Sequence, residues 1–80
     1  MTKLEVMYQI RHCQEMETFC EIESGHTDFA YNFNCMNRWY NKRMKMEKIA
    51  KEMGISEDEI ESARRKGIHE AISCFDDDVE

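Results

Sequence analysis

The fold of this chain is decided by one segment, Met46-Glu47-Lys48-Ile49-Ala50-Lys51-Glu52-Met53-Gly54-Ile55-Ser56-Glu57-Asp58-Glu59-Ile60-Glu61-Ser62-Ala63-Arg64-Arg65. The chain has no proline and only three glycines, so Gly54 is expected to mark the end of a helix. Ser56 is followed three residues later by Glu59, which is the capping box that begins a helix. The segment therefore predicts two helices joined by a short turn.

The second of these helices is predicted over residues 56–75. Its apolar positions recur at helical spacing and form one stripe, made of Ile60, Ala63, Ile68, Ala71, Ile72 and Phe75. Gly67 lies inside that pattern and disfavours helix by about 1 kcal/mol relative to alanine, so we expect a bend or close packing there. Residues 76–80 are expected to fray as an acidic tail.

The preceding helix is predicted over residues 28–53. Apolar residues recur at intervals of three or four and continue on a rotated face, at Phe29, Phe33, Met36, Tyr40, Met44, Met46, Ile49, Ala50 and Met53. The sequence also allows a break in this long helix near residues 37–41. Residues 29–35 also alternate in polarity, so a strand is the competing interpretation there.

The first third of the chain fits two patterns. Leu4, Val6, Tyr8 and Ile10 alternate like a strand, but the abundance of Glu, Gln, Met and Arg favours a helix over residues 3–22. We therefore predict an all-α, three-helix single domain over residues 1–80, in which the last two helices pack as an antiparallel, helix-turn-helix-like pair. The alternative is an α+β fold with an N-terminal β-hairpin around residues 24–27.

Composition limits what the chain can do. Eighty residues make one small domain, and no apolar stretch approaches the roughly 20 residues that cross a bilayer. The first residues lack the apolar core of a signal peptide, so we expect a cytoplasmic protein without a membrane partner. Glycine-rich phosphate loops, metalloprotease motifs and nucleophile elbows are missing from the sequence, so no enzyme and no cofactor are predicted.

The four cysteines are predicted to be reduced thiols, because disulfides are rare in reducing compartments. Two disulfides are the alternative that an even count allows. A metal site is the other alternative, but the spacing of the ligands it would need is irregular, so none is predicted. Those residues are His12, Cys13, Cys20, His26 and Cys35.

The segment Met46–Arg65 resembles the helix-turn-helix signature of phage repressors and bacterial regulators, with Ala50 at the helix crossing and Gly54 in the turn. The resemblance implies a second helix that enters the major groove of DNA. The groove-facing positions in this chain are Ser56, Glu57, Asp58, Glu59, Glu61 and Ser62. Carboxylates at these positions repel the phosphate backbone, so the chemistry of this helix argues against that role.

The net charge of −6 is arranged in four blocks of alternating sign, which are residues 1–12 (slightly basic), 13–28 (acidic), 29–53 (basic) and 54–80 (acidic). In size and charge the chain is similar to small phage inhibitors such as anti-CRISPR proteins. The similarity implies a non-enzymatic protein that binds and inhibits a host protein or nucleoprotein complex. The predicted recognition residues are Glu57, Asp58, Glu61, Asp76, Asp77 and Asp78. The plainer interpretation is that the carboxylates only favour the helix N-terminus.

Basic and aromatic residues alternate in the middle helix, a pattern that can hold phosphates while stacking bases. The candidate patch consists of Arg38, Trp39, Lys42, Arg43 and Lys45. It supports the alternative function, a small helix-turn-helix regulator that binds nucleic acid through this helix. The opposing interpretation places Tyr40 and Met44 in the core and pairs the cations with the acidic segments. A third possibility is a module that forms homodimers through the aromatic face of this helix.

Overall fold

The described residues form three helices in the computed structural model. The structure describes the backbone of residues 1–23 and 29–77 and the side chains of residues 1–22 and 34–74. The helices are α1 (Lys3–Glu23), α2 (Phe29–Glu52) and α3 (Glu57–Asp77). The all-α prediction is confirmed. Both strand alternatives are wrong because the residues on which they depended lie in α1 and α2, and α2 has no break at residues 37–41.

A capping box begins α1, and the sequence interpretation missed it. The hydroxyl of Thr2 accepts a hydrogen bond from the backbone N–H of Glu5 (3.2 Å), and the Glu5 carboxylate accepts one from the backbone N–H of Thr2 (3.3 Å). The backbone N–H of Thr2, and after it the Thr2 hydroxyl, hold the pKa of Glu5 below its ordinary value. These contacts satisfy N–H groups that a helix start leaves without intrahelical partners.

The turn between α2 and α3 has the geometry that the sequence predicts. Gly54 has a φ of +84°, which favours glycine, and it ends α2 in a Schellman motif. In that motif the N–H of Ile55 donates to the carbonyl of Ala50 (3.0 Å), and the N–H of Gly54 donates to that of Lys51 (3.1 Å). The hydroxyl of Ser56 then accepts from the N–H of Glu59 (3.2 Å), which confirms the predicted cap of α3.

Helix α1 lies between the other two helices. It runs antiparallel to α2, since Glu17 pairs with Arg43 whereas Val6 and Ile10, earlier in α1, cluster with Met46 and Ala50, later in α2. It runs parallel to α3, since Lys3 pairs with Glu59 and Arg11 with Glu70. Helices α2 and α3 contact each other little compared with their contacts to α1. Helices α2 and α3 point in opposite directions, as predicted, but each packs chiefly on α1.

The core lies where α1 meets the turn. Val6 and Ile10 of α1 are fully buried against a set from the other elements, which comprises Met46, Ala50, Ile55, Ile60 and Ala63. Gly67 brings α3 close to α1, because a Cβ at this position would lie 2.4 Å from the carbonyl oxygen of Arg11. The close packing expected at Gly67 is confirmed.

Several apolar residues expected inside are exposed instead. Helices α2 and α3 each pack chiefly on α1 and contact each other little, so neither covers the outer side of the other. This arrangement leaves one side of each outer helix in solvent. The exposed apolar residues of these two helices are Tyr40, Met44, Ile49, Met53, Ile68 and Ile72. The prediction that Tyr40 and Met44 belong to the core is therefore wrong.

Candidate functional site

The predicted acidic residues at the start of α3 are all exposed. Glu57, Asp58 and Glu61 lie in its first two turns, where the positive end of the helix dipole stabilises carboxylates. Two of them form surface ion pairs, Glu57 with Lys51 (3.2 Å) and Glu61 with Arg65 (3.0 Å). Exposed pairs of this kind contribute about 0–1 kcal/mol, so these carboxylates can exchange their partners at little cost.

The same side of α3 carries exposed isoleucines, which the sequence interpretation had placed in one apolar stripe with Ile60 and Ala71. Ile68 is 37% exposed and Ile72 is 44% exposed, whereas Ile60 and Ala71 are fully buried. Steps of three or four residues along a helix keep side chains on one side. The α3 outer stripe, as we name it, therefore has an acidic end and an apolar end and consists of Glu57, Glu61, Arg65, Ile68 and Ile72, with Asp58 beside it.

The acidic tail is described only in part. Asp76 and Asp77 belong to α3, so the helix extends two residues beyond its predicted end. Their side chains, and the whole of Asp78, lie outside the described residues. The predicted role of these three residues in recognition stays a prediction.

The basic patch on α2 divides into exposed and buried members. Arg38, Lys42 and Lys45 are exposed and form no ion pair with any side chain that the structure describes. Trp39 is half-buried, and the Lys42 ammonium lies 5.2 Å from the centre of its ring. Arg43 is buried, so its inclusion in the contact patch is wrong.

Arg43 belongs to a buried network that joins the three helices. Its Nε donates to Glu17 of α1 (2.8 Å), one of its terminal nitrogens donates to Glu47 of α2, and Glu47 lies 3.8 Å from Arg64 of α3. Burial disfavours the charged form of Arg43, but Glu17 and Glu47 more than compensate, so its pKa is raised above its ordinary value. Arg43 thus acts in the fold and not at the surface.

Three rings form a line across α1 and α2, which we call the aromatic ladder. Tyr8 stacks on His12 with ring centres 6.0 Å apart and planes within 3°, and His12 meets Trp39 edge-on at 5.5 Å. The sequence interpretation named only Trp39 as a contact residue, because it considered Tyr8 as part of an apolar pattern and His12 as a candidate metal ligand. Their spacing of four residues, which places them on one side of a helix, is the signal that could have identified them.

A groove of about 400 Å³ separates α1 from α3 beside the ladder. One end of the groove is apolar, at Leu4, Met7 and Tyr8, and Arg11 and Lys66 add positive charge. Arg11 pairs with Glu70, whereas Lys66 forms no ion pair with any described side chain. The ladder and the groove therefore share Tyr8, which is 59% exposed.

The four cysteines all lie in described parts of the chain, and none of them forms a disulfide. Burial raises the pKa of the Cys13 thiol, although nearby Lys42 and Arg43 oppose that shift. Within the described residues, no group of three or more His, Cys, Asp or Glu side chains is placed to hold a metal ion. His26, one of the ligands considered from the sequence, lies outside the described residues.

None of the described helices is long and apolar enough to span a membrane. Comparisons with protein-family models, with curated proteins and with solved structures find no match to this chain. The assignment of function therefore depends on the geometry and chemistry of these surfaces.

Proposed function

We propose that this chain is a non-enzymatic interaction protein that binds a basic surface of a host protein or nucleoprotein complex and thereby inhibits it. The observation that carries the proposal is the α3 outer stripe, where exposed carboxylates continue into exposed aliphatic side chains. Such a surface fits a partner that presents cations next to an apolar contact. A partner whose basic groove normally receives nucleic acid has this chemistry.

The two ends of the stripe have different roles in this proposal. Clustered carboxylates raise the rate of encounter with a basic partner, and this effect weakens as salt is added. Ile68 and Ile72 supply apolar area that becomes buried in the complex, which adds affinity that salt does not remove. Both ends are needed if the stripe is the recognition surface.

The test is quantitative affinity capture from extracts of the cells that contain the partner, followed by calorimetry with the purified partner. Replacing Glu57, Asp58 and Glu61 together by lysine should lower the affinity at least about tenfold. Ile72→Ser should lower it about fivefold or more, because interface anchors dominate binding energy. Thermal unfolding of each variant establishes that the fold is intact.

Ile49→Ser is the matched control, since Ile49 is an exposed isoleucine on α2 (36% exposed) outside the stripe. This variant should bind as the parent does. A partner that is retained equally by the triple lysine variant would contradict the proposal. If Ile49→Ser weakened binding of the partner as much as the stripe variants do, the contact would lie on another surface.

The second candidate is a small regulator that binds duplex DNA through α2. It is favoured by the exposed cations Arg38, Lys42 and Lys45, and by the resemblance of Met46–Arg65 to helix-turn-helix proteins. It requires binding to a labelled duplex that is tight at about 50 mM salt and collapses at about 200 mM. Fluorescence anisotropy distinguishes this candidate from the first, which predicts that the protein does not bind duplex DNA.

A further inference from the structure

The aromatic ladder joins two helices on a surface apart from the α3 outer stripe. Stacking of Tyr8 on His12 and the edge contact of His12 with Trp39 fix the three rings relative to one another. Tyr8 ends the line and stays more than half exposed, so its ring contributes little to the core. A solvent-exposed ring that lies beside two others is a surface on which a planar group can stack.

Cations flank the ladder on both helices that neighbour α1. Lys42 lies against the ring of Trp39. Arg38 and Lys45 lie one helical turn before and after Lys42 on α2. On the other side, Lys66 of α3 shares the groove with Tyr8. An exposed ring with such cations nearby has the two properties that bind an unpaired strand, namely stacking of bases and neutralisation of phosphates.

We propose that the aromatic ladder binds single-stranded nucleic acid, with one base stacked on Tyr8 and the phosphates on either side held by the α2 cations and Lys66. A single strand fits better than a duplex because its bases are free to stack on side chains, whereas duplex bases are stacked within the helix. This proposal is independent of the α3 outer stripe.

Carboxylates near the aromatic ladder are expected to lower the affinity for single-stranded nucleic acid, but not to abolish binding. Glu15 lies 4.0 Å from His12, and Glu70 already holds Arg11, so these two residues reduce the local positive charge. The exposed carboxylates Glu57, Asp58 and Glu61 lie at the start of α3, five or more residues before Lys66 on the same helix. About three phosphate contacts are expected to remain, which gives a log–log salt dependence with a slope of about −2.

The experiment follows the fluorescence of Trp39, the only tryptophan in the chain, during titration with a ten-nucleotide oligo(dT) or oligo(U) at about 50 mM salt. Binding should quench or shift the emission, because Trp39 lies in the ladder. Tyr8→Leu should weaken binding roughly tenfold through the loss of stacking. Changing Arg38 and Lys45 together to glutamine should make the salt slope shallower by about 1.4.

Two exposed residues elsewhere on α2 provide matched controls. Tyr40 is 42% exposed and lies by Arg43, outside the ladder, and Lys48 is an exposed lysine outside the Arg38, Lys42 and Lys45 group. Tyr40→Leu and Lys48→Gln should leave the affinity within about twofold of the parent, because neither residue belongs to the ladder or to the proposed phosphate contacts. An intact fold is verified for each variant by thermal unfolding.

Each other outcome overturns the proposal. No change in emission or anisotropy at low salt means that the ladder binds no single strand. Equal loss with Tyr8→Leu and Tyr40→Leu means that stacking at Tyr8 is not the cause. A duplex of the same sequence that binds as tightly as the single strand favours the duplex regulator instead, and equal competition by polyglutamate shows unspecific attraction to polyanions.

Discussion

Replacing Arg43 by methionine is expected to lower the free energy of unfolding by about 3–5 kcal/mol, the usual effect of removing one partner from a buried ion pair. Methionine fills a similar volume, but it leaves the carboxylate of Glu47, whose side chain is only 7% exposed, without its main cation. Glu17 loses its partner in the same change. The total free energy of unfolding of a small domain is about 5–15 kcal/mol, so the variant should be close to unfolding at ordinary temperatures.

Urea denaturation followed by circular dichroism measures this effect, and two further variants identify its cause. Arg38→Met removes an exposed cation from the same helix and should change stability by no more than about 0.5 kcal/mol. Adding Glu47→Leu to Arg43→Met should restore part of the loss, because the isolated buried carboxylate is then gone. Equal stability of the Arg43→Met and Arg38→Met variants would mean that the network does not hold the helices together.

The ends of the helices could be predicted from sequence because they depend on residues that are close in the chain. Gly54 supplies a left-handed backbone conformation, and Ser56 caps the next helix with its own hydroxyl. The same signal was present at Thr2 and Glu5 and could have predicted the start of α1. Caps of this kind act within three or four residues, so they require no knowledge of the tertiary fold.

The ambiguity of the first third has a physical cause. The buried residues of α1 recur at helical spacing along one stripe, but the polarity of the residues does not follow their burial. Val6 and Ile10 face the core, but Gln14 and Thr18 are also buried, and they are joined by a hydrogen bond of 3.0 Å. Because polar residues lie inside the buried stripe while Leu4 and Tyr8 are exposed, α1 lacks the clear apolar periodicity by which amphipathic helices are recognised.

The sequence predicted the parts of the candidate surfaces that are formed by residues of a single helix, but not the parts that need contacts between helices. The carboxylates at the start of α3 and the cations of α2 could be read from neighbouring residues. The burial of Arg43 could not be predicted from sequence, because its partner Glu17 lies 26 residues away in the chain. Exposure of Ile68 could not either, since its spacing is the same whether or not another helix covers it. The ladder needs His12 and Trp39 from different helices, a contact that only the tertiary fold provides.

Replacing Gly67 by alanine is expected to destabilise the protein by about 3 kcal/mol, the upper end of the usual range for overpacking. The added Cβ would lie 2.4 Å from the carbonyl oxygen of Arg11 and 3.0 Å from the backbone nitrogen of Glu15. Both atoms belong to the backbone of α1, so no side-chain rotation relieves the clash. Helices α1 and α3 would have to move apart, which would weaken the packing of α3 against α1.

A peptide of α3 alone separates this clash from the intrinsic preference for helix. In the isolated peptide, Gly67→Ala should increase helix content, because alanine favours helix by about 1 kcal/mol over glycine. The same substitution should therefore act in opposite directions in the peptide and in the full chain. Gly54→Ala is the control, because its Cβ meets nothing within 4 Å and only the positive φ opposes it, by about 1–2 kcal/mol. A full-length Gly67→Ala variant as stable as the parent would mean that α1 and α3 are not held in close contact.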